Sequence, residues 1–93
     1  MSFRHDFSDE AEAAIAVLYR KDRSRYETIL KKIEEIVSRD SQTIDAYKNL
    51  RHDLKEYKRV HVGKSFVLLF SVFKKKNFIL FDKLKHHDDA YKR

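Results

Sequence analysis

Apolar and polar positions change their period near the middle of this 93-residue chain. In the first half the spacing is helical. Ser8 is placed as an N-cap, and Asp9 and Glu10 suit the positive end of the helix that it opens. Ala11, Ala14, Ile15, Leu18 and Tyr19 then fall on one face at intervals of three and four. The charged stretch 20–23 ends that helix. Ser24 and Glu27 have the spacing of a capping box, which predicts a second helix. Its apolar stripe is Tyr26, Ile29, Leu30, Ile33, Ile36 and Val37. Two amphipathic helices with a short link predict an antiparallel helical hairpin.

Residues 2–7, ahead of the hairpin, alternate weakly and read as a short strand. Residues 40–53 follow neither period. Ser41 is placed to cap one helical turn through Ala46, and the rest reads as loop. From Tyr57 the period is two: Val60 and Val62 point one way, and Tyr57, Arg59 and His61 the other. Residues 63–65 form a turn around Gly63, the only glycine. Residues 66–73 are apolar on both faces, as a central strand requires. Residues 74–77 predict a hairpin turn, 78–84 another strand, and 85–93 a charged tail. The expected architecture is α+β. An N-terminal strand and a helical hairpin pack on one face of a small antiparallel sheet, in a single domain spanning residues 1–93.

Composition narrows the function classes. The absence of cysteine excludes disulfides, a thiolate nucleophile and Cys-based zinc sites, which fits a reducing cytoplasm. The longest apolar run has eight residues and contains Ser71, too short for a membrane span. No leader segment is read at the start. Charge is divided along the chain. Residues 1–46 hold 8 Lys and Arg against 10 Asp and Glu, whereas residues 47–93 hold 13 against 5. Four of the five histidines, His52, His61, His86 and His87, also lie in the basic half. A cationic surface attracts polyanions, and imidazoles exchange protons near neutral pH.

Two clusters could carry chemistry. Tyr57, Arg59 and His61 share a strand face suited to RNA, where rings stack on bases and cations hold phosphates. An ordinary solvated sheet face would have the same pattern. In the tail, His87 and Tyr91 stand four apart, beside His86, Asp88 and Asp89. Adjacent ligands do not readily chelate one ion from a helix, so these residues read as a polar tail rather than a metal site. The run 74–76 reads as a solvated turn. The Gly63-Lys64-Ser65 triplet lacks the remaining features of a phosphate loop.

Residues 54–70, LKEYKRVHVGKSFVLLF, followed by His87-Asp88-Asp89-Ala90-Tyr91, resemble the RelE/ParE toxin superfamily, nearest to its YafQ-like branch. The opening Phe3 to Phe7 and Ser8-Asp9-Glu10-Ala11 are similar to the family's first strand and helix. The resemblance covers nearly the whole chain. It implies a metal-independent, cofactor-free endoribonuclease that cuts mRNA on the ribosome and is held inactive by a cognate acidic antitoxin of the RelB or DinJ kind. It places His61, His87 and Tyr91 on catalytic positions, and Phe66 where the branch often has Trp. Three places depart: Ser65 stands where the branch carries Asp, Val67 where RelE carries a catalytic Arg, and Lys48 and Asn49 where the branch tends to place a His just before the Leu that matches Leu50.

On this reading His61 and His87 form the acid–base pair, Arg59 holds phosphate, and Tyr91 completes the catalytic set. Lys55, Lys58, Lys64, Phe66, Lys85 and His86 are the expected RNA contacts. Two alternatives share the fold: a ParE-like gyrase inhibitor, which does not need the imidazoles, and a degenerate toxin that only binds its antitoxin.

Overall fold

The structure, a computed structural model, describes residues 3–49 and 57–86. Strand β1 (Arg4–Phe7) leads into helices α1 (Asp9–Lys21) and α2 (Arg23–Val37). A 3₁₀ turn (Thr43–Ala46) precedes strands β2 (Tyr57–Val62), β3 (Phe66–Phe73) and β4 (Phe78–His86). The sheet order is β1-β4-β3-β2. The last three strands form an antiparallel meander, and β1 joins β4 in parallel, which makes the sheet mixed.

Ser8 caps α1 as its sequence context predicts: its Oγ accepts from the Ala11 amide at 3.0 Å. The same hydroxyl donates to the Asp82 carbonyl of β4, so one side chain starts the helix and ties it to the sheet. The hairpin link is shorter than predicted. Asp22 alone separates the helices: its amide donates to Leu18 O, and its carboxylate accepts from the Arg25 amide at 3.2 Å. Asp22 therefore replaces the predicted Ser24–Glu27 capping box, because its short carboxylate reaches an orphan amide two residues earlier. Tyr19 also departs from its predicted place on the buried face. It is 49% exposed, edge-on to Tyr26 and beneath the Arg23 guanidinium.

The core lies between the helices and one sheet face. Ile29, Ile33 and Ile36 of α2 pack with Leu68, Phe70 and Val72 of β3 and with Ile79, Phe81 and Leu84 of β4. Phe3, Ile44 and Tyr47 close its ends. β3 is central, which explains why both of its faces are apolar. Gly63 adopts φ 60°, a left-handed conformation that favours glycine, and Asn77 meets the same demand at the β3–β4 turn. No described helix is long and apolar enough to cross a membrane.

Two strand details bear on the candidate residues. First, β4 runs to His86, two residues beyond its predicted end, so Lys85 and His86 lie on a strand rather than in a tail. Second, the β3–β4 register shifts beside Leu69 and Phe70, leaving Asp82 as the extra residue of a bulge.

Lys58 is the buried exception in an apolar interior, 2% exposed. Its ammonium donates to Asn49 Oδ1 at 2.9 Å and to the Tyr47 carbonyl at 3.1 Å, and lies 3.4 Å from Asp45 Oδ1. Asp45 also holds Lys74 at 2.9 Å. These bonds satisfy a charge that would otherwise be costly to bury. They also fasten residues 45–49 along the free edge of β2, where Asn49 bridges Lys58 and the Arg59 amide donates to Lys48 O. Lys58 is thus corrected from RNA contact to internal anchor. Lys58→Ala should strip Tyr47 O and Asn49 of their donor and cost about 2–4 kcal/mol. Urea unfolding should show the lower midpoint with an unchanged slope; an unaltered midpoint would refute the anchor.

Candidate functional site

Alternation and register sort the candidate residues onto two faces. On the face away from the helices, cross-strand partners form rows. Arg59, Leu69 and Lys83 make one row, and His61, Val67 and Lys85 the next. In each row a cation or imidazole stands on either side of an apolar residue of β3. The outer members are two strands apart, roughly 9.5 Å. Leu69 is half-buried and Val67 fully buried. Among the described residues no helix covers this face.

A third group braces the same surface. Tyr57, on the Arg59 side of β2, reaches across β3 and donates to Asp82 Oδ2 at 2.8 Å. The bulge makes this contact available, since Asp82 is freed from the β3 ladder. Burial, then the Asp82 bond and the charges of Asp82 and Glu10, hold the Tyr57 phenol far above its ordinary range. Tyr57 therefore remains a neutral donor and does not serve as a base. Lys85 Nζ lies 3.7 Å from Glu10 Oε2, and both side chains are substantially exposed, so the pair is weak.

Beside Arg59 and His61, a cleft of about 300 Å³ opens between β2 and the segment fastened by Lys58. Ala46, Tyr47, Lys48 and Val60 complete its walls. Arg59 and His61 thus stand where the sheet edge meets a concave surface.

Of the sequence-predicted site residues, Arg59, His61 and Lys85 share this face. Phe66 and His86 do not: they pair with each other on the opposite, helix-bearing face, with ring centroids 5.6 Å apart. Phe66 packs against the core, because its partner Val62 faces inward. Lys64 sits in the exposed β2–β3 turn. His87, Tyr91, Lys55 and His52 lie outside the described residues, as do Asp88 and Asp89. Among the described residues no three His, Asp or Glu side chains converge as metal ligands.

Two cations of this face and its cleft carried no sequence signal. Lys83 was hidden because uninterrupted alternation from Ile79 and Phe81 places it inside; the bulge turns it outward. Lys48 carried no periodic signal, and only its pairing with β2 brings it to the cleft.

No protein-family model matches the sequence. The chain is 45% identical over 76 residues to a protein of Methanocaldococcus jannaschii named "Putative toxin RelE4", covering 82% of this chain and 77% of that one. It is 33% identical over 82 residues to an uncharacterized protein of Methanosarcina mazei, covering 88% and 91%. In fold it is similar to the toxin–antitoxin complex RelBE2 of Mycobacterium tuberculosis, with TM-score 0.62, 18% identity, and coverage of 94% of this chain and 100% of that one. The Escherichia coli DinJ–YafQ complex gives 0.64 at 13% identity, covering 97% and 99%. Sequence identity over most of both chains, with the strand–hairpin–sheet architecture beneath it, makes this chain a member of the RelE toxin family.

Proposed function

We propose that this protein is the toxin of a toxin–antitoxin pair and an endoribonuclease that cuts mRNA on the ribosome. The observation that carries the reading is the pair of rows on the helix-free face, with Arg59 and Lys83 bracketing Leu69 and His61 and Lys85 bracketing Val67. The spacing suits a single RNA strand lying along β3, with cations reaching its phosphates from both sides. The RelBE2 neighbour is a complex with an antitoxin, and the −2 and +8 halves of this chain favour an acidic companion in the same way.

The chemistry is attack of a ribose 2′-oxygen on the adjacent phosphorus. The O2′–P bond forms and the P–O5′ bond breaks. One group takes the 2′-hydroxyl proton, and another gives a proton to the departing 5′-oxygen. His61 and His87 fill these two roles, with Tyr91 completing the set. Arg59 and Lys83 stabilise the charge that accumulates on the phosphoryl oxygens. Neutral Tyr57, bound to Asp82, braces the sheet beneath them.

A second reading rests on Val67. It is fully buried at the centre of the His61 row, and the sequence resemblance matches it to a position where RelE carries a catalytic Arg. A toxin without that guanidinium could hold its antitoxin while cutting nothing.

His61→Ala and His87→Ala should each lower cleavage of ribosome-bound mRNA by about 10²–10⁴-fold and leave the melting temperature nearly unchanged. The double variant should lose little more than either single one, since the two act in one transition state. Near-normal cleavage by both single variants would remove the assignment; an inactive wild type would favour the second reading.

Binding to RNA should weaken steeply with salt. Six to eight neutralised single-strand phosphates give a log–log slope of roughly −4 to −6. A flat titration would mean that the charge is only a solvated surface.

Purification from its host should bring down a small acidic protein bound to the basic half. Recovery of the free toxin alone would argue against an antitoxin.

A further inference from the structure

We propose that the pocket beneath the β2–β3 turn seats a phosphate of the RNA chain next to the one that is cut. This inference rests on the RNA-cleaving reading above and names a contact outside the His61 face. The pocket lies between α2 and the turn, with a volume of about 90 Å³. That is far below the roughly 300–1,000 Å³ that holds a drug-sized ligand, so a phosphate group fits and a nucleoside does not.

Its chemistry is one-sided. Arg25 comes from α2 and Lys64 from the turn, Thr28 and Ser65 add hydroxyls, and Ile29, Val62 and Phe66 line the apolar part. No carboxylate lines it among the described residues. Asp22 is the nearby acid: it holds Arg25 at 3.4 Å on the surface, with half of the arginine side chain exposed. An exposed pair of this kind is worth little, so the guanidinium can exchange it for two parallel bonds to a phosphate. Thr28 now donates to Ser24 O at 3.2 Å, while Ser65 stands at the mouth of β3.

The turn keeps this side open. Gly63 takes the left-handed conformation, and nothing lies within 4 Å of the place where a Cβ would stand. The position in the chain supplies the link to the cleavage face. His61 is two residues before Gly63, and Val62 alone separates them, pointing to the pocket side. A strand of RNA crossing His61 reaches the end of the sheet at this turn. There the two cations meet its next phosphates. Lys64 is thereby joined by Arg25, which lies in the acidic half of the sequence and was not among the expected RNA contacts.

The test is an amide chemical-shift titration of the isotope-labelled protein with two probes: inorganic phosphate, and a short single-stranded RNA whose 2′-oxygens are methylated to block cleavage. Both probes should move the Thr28, Gly63, Lys64 and Ser65 amides, and the RNA should also move Arg59 and His61. In the double variant Arg25→Ala with Lys64→Ala, the turn should respond to neither probe while RNA still moves His61. The salt slope of RNA binding should drop by about 0.7, one single-strand phosphate. RNA that moves Arg59 and His61 but not the turn would overturn the pocket and leave the cleavage reading standing. A turn that answers to inorganic phosphate but not to RNA would make it a free-anion site and overturn the assignment to RNA. RNA that moves neither region would overturn both.

Discussion

The helices shield one face of the sheet, and every strand position is sorted by that asymmetry. Side chains on a strand alternate between faces, so a residue is either buried beneath α1 and α2 or placed on the other surface. The shielded positions hold the apolar core of Leu68, Phe70, Val72, Ile79 and Phe81. The other positions hold Arg59, His61, Lys83 and Lys85. The same separation gives Phe66 and His86 to the core side and removes them from the face that carries Arg59 and His61.

Lys58 is where this sorting meets a charge. Its parity carries it inward, and an unpaired ammonium there would be untenable. Asn49, the Tyr47 carbonyl and Asp45 compensate it, and the compensation shapes the molecule outside the core. The segment that supplies these partners runs beside β2 and covers an edge that would otherwise present open hydrogen-bonding groups. It also builds the wall of the cleft beside Arg59 and His61. A cation that alternation sets on the valine side thus acts on the site by placing backbone.

The helix-free face has a division of labour that follows from partners rather than from residue type. Tyr57 sits among cations, yet burial, with its bond to Asp82, keeps it protonated, and that bond fixes it. Lys85 lies near Glu10, but the pair is exposed and weak, so the row through His61 keeps its cationic character. Kinship with other RelE toxins rests on identity over most of the chain, whereas the YafQ and RelBE2 structures share fold at low identity. The candidate face is therefore built from side chains particular to this chain, among which Val67 is fully buried at the centre of the His61 row.

The fold was largely legible because it rests on local periodicity. The Ser8 cap, the isoleucine stripe of α2, the two-residue alternation of β2 and the two-faced β3 each reflect a short-range steric or burial rule. The face that carries Arg59 and His61 was legible for the same reason. Three features were decided only in three dimensions. The helix link fell on Asp22 because its carboxylate meets the Arg25 amide, a matter of geometry on which the Ser24–Glu27 spacing was silent. Lys58 became an anchor because a segment without periodicity folded back beside it. Lys83 turned outward because β4 bulges at Asp82, and a register shift reverses the face of every residue that follows. Sequence alone determines which residues can share a face while a strand stays regular. Only the pairing of distant strands shows where that regularity breaks.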